Sequence, residues 1–523
     1  MSFHTLNSSP ASSVGRLSTM GELTLPFKAV VRLHVICIFF ALASFIWGYN
    51  IGILATVYVH PGFIKAIHRP TASDKGLITA IYYLGTWISY IFLAQPATDY
   101  LGRRWAVFSG TLVTCIGAAI EAASGGGRSK VMATMIIGRI VCGLGLAIVS
   151  SSVPLYQSEI SPAKQRGRYV VLNHVGMIGG LAAAFWIGYA FTFWDTARGI
   201  YLGWRLSIAV QFIPATILFV GLPFCPETPR WLVQKGRHEQ ALSSLMYLRG
   251  ATSTSDPIVT QEYDRIKSDV AIHQSPSGFF GWTILFTDRS LFRRLWRASL
   301  LHFMAQMCGN TAIKYYLPTI FEDLGIEHRF TLLVGGVEST LKIGCTIFDM
   351  LVIDKLGRRV TLLGGIVLMT FSLLINGALP QVYPDNVNRA ADYACIVFIF
   401  FYTFGYSVSL GPAPWVYSAE IFPTKYRARG VNFAASGGAI GSIIVAQVWP
   451  IGIQNIGSKT YFIFMSFNIV AGIIVFFLYP ETKGIALEDM DNLFFNNNRP
   501  SNGPLAHRDS EDSHEDEDRA SLK

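Results

Sequence analysis

Long apolar stretches separated by short polar connections dominate the chain. Seven stretches contain no Asp, Glu, Lys or Arg and reach the roughly 20 residues that a helix needs to cross a bilayer. They lie at 35–59, 76–98, 170–194, 360–384, 393–419, 431–458 and 461–480. This pattern predicts membrane-spanning helices.

We predict twelve spanning helices, six on each side of a polar segment. They are placed at about 30–54, 75–97, 105–123, 131–152, 169–193, 203–222, 295–322, 331–353, 360–379, 393–418, 428–452 and 460–479. The predicted fold class is an all-α integral membrane protein.

The predicted domain boundaries follow from the same pattern. They give a cytoplasmic leader (1–28), an N-terminal six-helix bundle (29–224), a cytoplasmic linker with short surface helices (225–293), a C-terminal six-helix bundle (294–484) and an acidic cytoplasmic tail (485–523). The leader and the tail are predicted to be disordered, because their polar composition cannot bury enough apolar surface to fold.

Three short motifs occur twice, in the same order and at nearly the same offset. DYLGRR at 99–104 returns as DKLGRR at 354–359 (offset 255), EISPAKQR at 159–166 returns as EIFPTKYR at 420–427 (offset 261), and PET at 226–228 returns at 480–482 (offset 254). The repetition indicates a tandem duplication of the kind found in membrane transporters.

Composition supports a place in the bilayer: 51% of the residues are hydrophobic, 14% are charged and the mean hydropathy is +0.40. The formal net charge of +9 comes with Lys and Arg clustered in alternate connections. Such clustering predicts two cytoplasmic termini and argues against a nucleic-acid partner. The seven cysteines show no metal-ligand spacing, and we expect neither a metal nor a cofactor.

The repeated motifs, together with Gly138-Arg139, PETPRW at 226–231 and GPAPW at 411–415, resemble the signature set of the sugar porter family of the major facilitator superfamily. The resemblance covers about residues 30–485. It implies two pseudo-symmetric six-helix bundles that rock around a central site, and no enzymatic activity.

The charged motifs have a structural and a functional interpretation. They could anchor helix ends at the membrane surface, or form a conformational lock between the bundles that closes in one state and opens in the other. The duplication favours the lock, which the resemblance places in the outward-facing state. Its predicted members are Asp99, Arg103, Arg104, Arg139, Glu159, Arg166, Asp354, Arg358, Arg359, Glu420 and Arg427.

The resemblance also implies substrate-binding positions, several of which depart from the family pattern. A Gln in the fifth helix is replaced by His174, a Gln-Gln pair in the seventh reads Ala305-Gln306, and an Asn becomes Thr311. An Asn in the eighth helix becomes Lys342, and an Asn-Trp pair in the eleventh becomes Gly438-Ala439. Lost amides and a helix widened by glycine predict a larger, less hydroxylated or differently charged ligand, because buried hydroxyls need partners.

Ionisable residues within the predicted seventh and eighth helices are candidates for function, since they are costly in a membrane. Lys314 has no partner nearby in the sequence, and we predict that it faces the cavity. Glu338 and Lys342 lie four residues apart and could form a structural ion pair instead.

Asn50 stands where many proton-coupled members of the resembling family have an Asp. An amide cannot take up a proton in that way, so proton coupling stays open, or moves to another group such as Glu338, Asp349 or His174. The predicted substrate-binding residues are Asn50, His174, Gln306, Thr311, Lys314, Tyr315, Lys342 and Trp415.

The sequence therefore predicts a transporter of a sugar or sugar-like molecule, monomeric and in the plasma membrane. An organic acid or secondary metabolite is the alternative cargo. A non-transporting nutrient sensor is the alternative from another class.

Overall fold

The computed structural model describes residues 26–162, 166–272, 280–384, 387–423 and 425–481. Within these ranges the regular structure is helical, without strands. The side chains of 166–168, 170, 171, 272, 280, 281 and 350–355 are outside the description. The predicted tail and nearly all of the predicted leader lie outside the described residues.

In the described ranges, twelve long helices or broken helices follow one another. They are α1 (Phe27–Val59), α2 (Ala72–Phe92), α3 (Arg103–Ala122), α4 (Arg128–Ile160), α5 (Arg166–Phe191), α6 (Ala197–Ala209 and Phe212–Gly221), α7 (Arg289–Met307 and Asn310–Asp323), α8 (His328–Leu356), α9 (Arg358–Val382), α10 (Arg389–Val408 and Ala413–Ile421), α11 (Arg427–Ile456) and α12 (Thr460–Leu478).

Four shorter helices lie between α6 and α7, at Pro229–Gln234, His238–Arg249, Pro257–Ile272 and Phe280–Thr287. Pro61–Ala66 follows α1, and the bent segment Ala94–Leu101 continues α2. The short surface helices predicted for the linker are therefore present.

Nine segments of the described chain are long and apolar enough to cross a membrane, or ten if the bent pair that includes α2 is one span. One of the nine, Arg427–Leu478, contains both α11 and α12, which are separated at Gly457. α7 is not among them, because it is interrupted near Gly309 and carries several charged residues. The count of twelve spans stays a prediction.

The helix ends differ from the predicted ones where charged residues continue a helix. α7 begins at Arg289 rather than 295, because Asp288 caps it: the carboxylate Oδ1 accepts hydrogen bonds from the N–H groups of Ser290 (2.8 Å) and Leu291 (3.1 Å). An aspartate before a helix is a recognised start signal. α7 therefore begins six residues before its predicted start.

The two halves contact each other chiefly along α2 with α11 and α5 with α8. Glycine makes the second contact close: a Cβ at Gly335 would lie 2.8 Å from the ring of Phe185. Small residues allow this approach in lipid, where helices gain little from burying apolar surface. The main apolar core draws on both halves.

Breaks in the helices expose backbone carbonyl groups inside the protein. Cys308 stands at the break in α7, and its carbonyl oxygen accepts hydrogen bonds from the hydroxyl of Tyr402 (3.0 Å) and the amide of Asn468 (3.2 Å). Gly309, with φ of 102°, makes the turn possible. The broken helix is thus held at a fixed place beside the polar centre.

Candidate substrate site and conformational lock

A cluster of polar side chains surrounds the break in α7. The Oε1 atom of Gln306 accepts hydrogen bonds from the hydroxyl of Thr311 (3.1 Å) and the amide of Asn310 (3.5 Å). The Thr311 hydroxyl also lies 3.2 Å from the Ser442 hydroxyl on α11. The structure therefore brings the predicted residues Gln306 and Thr311 together and adds two polar neighbours.

Lys314 lies one turn further along α7. Its ammonium group is 5.8 Å from the ring centroid of Tyr406, a distance suited to a cation–π contact. The charges that act on it from neighbouring helices are those of Lys342 and, when protonated, His174. No carboxylate pairs with Lys314 among the described residues, and its side chain is only partly buried.

Lys342, unlike Lys314, is paired with a carboxylate. Its ammonium group lies 2.7 Å from Oε1 of Glu338, and both side chains are buried. The Thr403 hydroxyl donates a hydrogen bond to the same carboxylate oxygen at 2.7 Å, and the Ser339 hydroxyl lies 3.3 Å from the other. The geometry favours the structural interpretation of this pair, so Lys342 leaves the proposed binding set.

Asn50 is also committed to internal contacts. Its Oδ1 accepts a hydrogen bond from Arg139 at 2.9 Å, and its amide donates to Gln211 at 3.2 Å. Arg139 in turn pairs with the carboxylate of Glu121 at 3.2 Å, and neither side chain of this ion pair is exposed. Asn50 thus supports a buried ion pair within the N-terminal half.

The position of Arg139 favours a structural role over the predicted role in the lock. It lies inside α4, 20 residues before Glu159 and therefore away from the charged turns. The sequence analysis missed its partner Glu121, although a single carboxylate near the end of the apolar helix α3 was a signal. An unpaired guanidinium would be too costly at this depth, which is why α3 supplies the carboxylate.

Two consecutive tyrosines of α7 have different surroundings. Tyr315 packs edge-to-face on Tyr83 of α2, with ring centroids 6.0 Å apart. Tyr316, which was not among the predicted site residues, stacks on Tyr58 of α1 at 6.0 Å and donates a hydrogen bond to the carbonyl oxygen of Ala446 on α11 at 2.9 Å. Tyr316 therefore ties both halves together at the end of the pathway opposite the charged turns.

Trp415 lies on the other side of the centre, at the start of the second piece of α10. It packs against a small cluster from both halves that includes Tyr90 and Ala435. Its ring meets His302 of α7 edge-on, with centroids 4.9 Å apart. His302 is buried and was not predicted, because a histidine in an apolar helix gives no distinctive signal.

Two other glycines of α11 lie in close contact with α7, whereas the predicted widening at Gly438 stays a prediction. A Cβ at Gly437 would lie 2.6 Å from the carbonyl oxygen of Ser299, and one at Gly441 would lie 2.9 Å from that of Phe303. These glycines let α7 approach α11 closely. A Cβ at Gly438 would lie at an ordinary contact distance of 3.5 Å from His302.

The charged turn of the N-terminal half is stabilised by two carboxylates. Arg103 pairs with Glu159 at 2.9 Å. Glu227 accepts hydrogen bonds from the backbone N–H groups of Arg103 and Arg104, each at 3.1 Å, and so satisfies the first turn of α3. Burial raises the pKa of the Glu227 carboxyl, an effect opposed by hydrogen bonds from the backbone N–H groups of Thr228 and Arg104.

The C-terminal half repeats this arrangement. Arg358 pairs with Glu420 at 2.9 Å, while Glu481 accepts from the backbone N–H groups of Arg358 (2.9 Å) and Arg359 (3.0 Å). The two PET repeats thus supply helix-capping carboxylates, Glu227 and Glu481, which the predicted lock did not include.

For the remaining predicted lock residues the structure describes few side-chain contacts or none. Arg427 donates a long hydrogen bond to the carbonyl oxygen of Phe422 (3.4 Å). The side chains of Arg166 and Asp354 lie outside the described residues. Asp99 accepts a hydrogen bond from Gln95 at 3.3 Å.

The described ion pairs of the two charged turns lie within one half each. Contacts between the halves on this face include the electrostatic interaction of Asp99 with Arg429 of α11. The Ser151 hydroxyl also donates to the Asn432 side chain at 2.9 Å. Arg429, which was absent from the predicted lock set, is therefore the cation of α11 that interacts electrostatically with the N-terminal charged turn.

Among the described residues, no group of three or more His, Cys, Asp or Glu side chains could hold a metal ion. The chemistry available at the centre is hydrogen bonding, cation–π contact and one unpaired lysine cation. This is the chemistry of reversible ligand binding.

Comparison with known proteins supports this view. A family model described as "Sugar (and other) transporter" matches residues 36–494. The MFS-type transporter qa-x of Neurospora crassa is 31% identical over 482 residues, covering 88% of each chain. A probable quinate permease of Aspergillus niger is 30% identical over 480 residues, also covering 88% of each chain.

Solved structures with the same fold include the xylose transporter XylE from E. coli. Its partially occluded inward open conformation matches with a TM-score of 0.74 and 21% identity, covering 87% of this chain and 99% of that chain. The likeness confirms the predicted all-α major facilitator fold.

Proposed function

The chain belongs to the sugar transporter family of the major facilitator superfamily, and from that premise we propose that it carries a polyhydroxylated organic acid across the membrane by alternating access. The carboxylate of the ligand pairs with Lys314, and its hydroxyl groups bind the polar cluster around Gln306. The cargo therefore resembles a sugar in size and hydroxylation and differs from it in charge.

Lys314 carries this proposal. A cation within a membrane protein is costly unless it has a partner. Lys314 has no carboxylate partner among the described residues, because the carboxylate of Glu338 on the neighbouring helix α8 is already paired with Lys342. An anionic ligand supplies the missing charge through a charge-assisted hydrogen bond.

The polar cluster supplies the second half of the recognition. Gln306 accepts hydrogen bonds from the Asn310 amide and the Thr311 hydroxyl through its oxygen atom. Side-chain amides have two donors and two acceptor lone pairs, so Gln306 and Asn310 retain capacity for ligand hydroxyls. Trp415 and Tyr315 provide flat apolar surfaces against which a ring can pack.

Relatives named quinate permeases support the same class of ligand. Quinate is a cyclohexane carboxylate with several hydroxyl groups, and it would present both a carboxylate and a sugar-like polar edge. The organic acid, which the sequence analysis gave as the alternative cargo, is therefore favoured over a neutral sugar.

Uptake into vesicles reconstituted with the full-length protein tests the proposal. Lys314→Gln should raise the KM for quinate by about 10-fold or more, the effect of losing a hydrogen bond to a charged group. It should leave any uptake of neutral sugars and polyols largely unchanged. Lys314→Arg, which keeps the charge, is the matched control and should retain most of the affinity.

Unchanged quinate kinetics in Lys314→Gln would refute a carboxylate site at this lysine. A neutral sugar is the second candidate, because Gln306 keeps one of the amides that the family uses for sugars. Entry of xylose or glucose into the vesicles, without entry of quinate, would favour a neutral sugar as the cargo.

The same vesicles decide how transport is driven. Asn50 cannot provide a protonatable group, so we propose facilitated diffusion unless a proton gradient accelerates uptake. They also test the sensor alternative, which predicts ligand binding without flux.

A further inference from the structure

A cavity of about 460 Å³ lies outside the transport pathway, where the first charged turn meets the linker helices. Its wall combines the start of α3 with the helix Pro229–Gln234 and the residues that follow it. The lining is formed by Tyr100, Leu101, Arg104, Trp105, Phe108, Ser109, Glu227, Trp231, Leu232, Arg237 and Gln240.

Two cations lie at this cavity. The guanidinium of Arg237, which is part of the lining, lies 5.6 Å from the ring centroid of Trp231. The ammonium group of Lys235 lies beside the lining, 5.4 Å from the ring centroid of the lining residue Tyr100. Both cations are exposed, and neither pairs with a carboxylate among the described residues. Arg104, at the base, donates hydrogen bonds to the carbonyl oxygens of Pro223 (3.1 Å) and Cys225 (2.5 Å).

One side of the cavity is apolar and continues onto the outer surface of the helices. Leu101, Trp105 and Phe108 line it. Phe224, at the neighbouring end of α6, is 82% exposed. Tryptophan and tyrosine at a membrane surface occupy the headgroup level, so this apolar side faces lipid chains while the cations face the polar region.

The single carboxylate in the lining does not oppose an anion strongly. Glu227 accepts backbone hydrogen bonds from Arg103, Arg104 and Thr228, which share its negative charge. The groups left free to bind a ligand are therefore cationic and aromatic.

We propose that this cavity binds the headgroup of an anionic phospholipid, with the phosphate between Lys235 and Arg237 and an acyl chain along α3. The shared chemistry is that of a phosphate ester, but the continuous apolar side fits a lipid and not a soluble phosphate. The bound lipid would brace the linker helices against the charged turn.

Binding of dioctanoyl phosphatidic acid to the purified full chain in neutral detergent, measured by native mass spectrometry, tests this site. Replacing both cations (Lys235→Gln with Arg237→Gln) should weaken binding about 25-fold, from about fivefold for each cation near a charged lipid surface. The matched control replaces Arg265 and Lys267 by Gln. These two exposed cations lie on the linker helix Pro257–Ile272, which contributes no residue to the cavity lining, and their replacement should change binding less than about twofold.

Two further ligands identify the source of the phosphate. Dioctanoyl phosphatidylcholine should bind weakly, and glycerol 3-phosphate should not compete with phosphatidic acid. Equal losses in the test and control variants, or competition by glycerol 3-phosphate at equal concentration, would overturn the proposal. The variant Lys235→Arg keeps the charge and should bind phosphatidic acid as the unaltered protein does. This control separates the loss of charge from misfolding.

Discussion

The two charged turns of the molecule are built alike and differ in what surrounds them. Gly102 and Gly357 both have φ of 92°. In both, a carboxylate occupies the space next to the missing Cβ: a Cβ at Gly102 would lie 2.5 Å from Oε2 of Glu227, and one at Gly357 would lie 2.6 Å from Oε2 of Glu481. Glycine and carboxylate therefore form one unit, which the duplication has preserved.

The surroundings show where the halves have diverged. The side chains of the Arg103–Glu159 pair are 6% and 7% exposed, whereas those of the Arg358–Glu420 pair are 13% and 23% exposed. The N-terminal turn is covered by Trp231, whose Nε1–H donates to the carbonyl oxygen of Asp99 at 3.0 Å. The same motif is thus held in a drier environment in the N-terminal half.

The ion pairs buried deeper in the two halves differ in whether the two partners lie on one helix or on two. Arg139 and Glu121 join two helices, while Lys342 and Glu338 lie one turn apart on α8. The N-terminal pair therefore joins two helices directly. In the C-terminal half, the Glu338 carboxylate joins α8 to α10 through the hydrogen bond from the Thr403 hydroxyl.

The largest expected effect comes from breaking the pair between helices. Glu121→Ala leaves the Arg139 guanidinium buried without its carboxylate and should reduce the free energy of unfolding by about 3–5 kcal/mol. Glu338→Ala should cost less, because a lysine can lose its proton when buried and a guanidinium cannot. Thermal unfolding of the purified protein in one detergent measures both, and equal losses would contradict the proposed difference between the two ion pairs.

The two charged turns should differ less in the free energy of unfolding that is lost when their arginine is removed. Arg103→Ala removes the partner of the more deeply buried Glu159 and should cost about 2–3 kcal/mol. Arg358→Ala exposes a partner already in contact with solvent and should cost about 1 kcal/mol. The same unfolding assay applies, with the charge-conserving variants Arg103→Lys and Arg358→Lys as controls. A larger loss at Arg358 would reverse the comparison.

The glycines, by contrast, should behave alike. Gly102→Ala and Gly357→Ala each place a Cβ against a carboxylate at positive φ and should each destabilise the protein by about 2 kcal/mol. Combining Gly102→Ala with Glu227→Ala should cost less than the sum of the single losses, because the steric conflict disappears with the carboxylate. Additive losses would show that glycine and carboxylate do not act as one unit.

The sequence could predict what depends on local spacing. It gave the family, the repeated turns and the alternative that Glu338 pairs with Lys342 one turn away. It did not give Glu121 as the partner of Arg139, or Glu227 as the cap of α3, because these contacts join residues whose proximity depends on how helices pack. Lys314, the proposed binding residue, was singled out for a local reason as well, because it had no partner one turn away in the sequence.

The smallest expected effect comes from the contact that covers only the N-terminal turn. Trp231→Phe removes the hydrogen bond to the carbonyl oxygen of Asp99 but keeps an aromatic ring, so it should cost about 1 kcal/mol. With the turn less covered, Arg103→Ala should then cost less in the Trp231→Phe background than in the natural protein, approaching the cost of Arg358→Ala. An unchanged cost of Arg103→Ala would show that burial by Trp231 is not what separates the two turns.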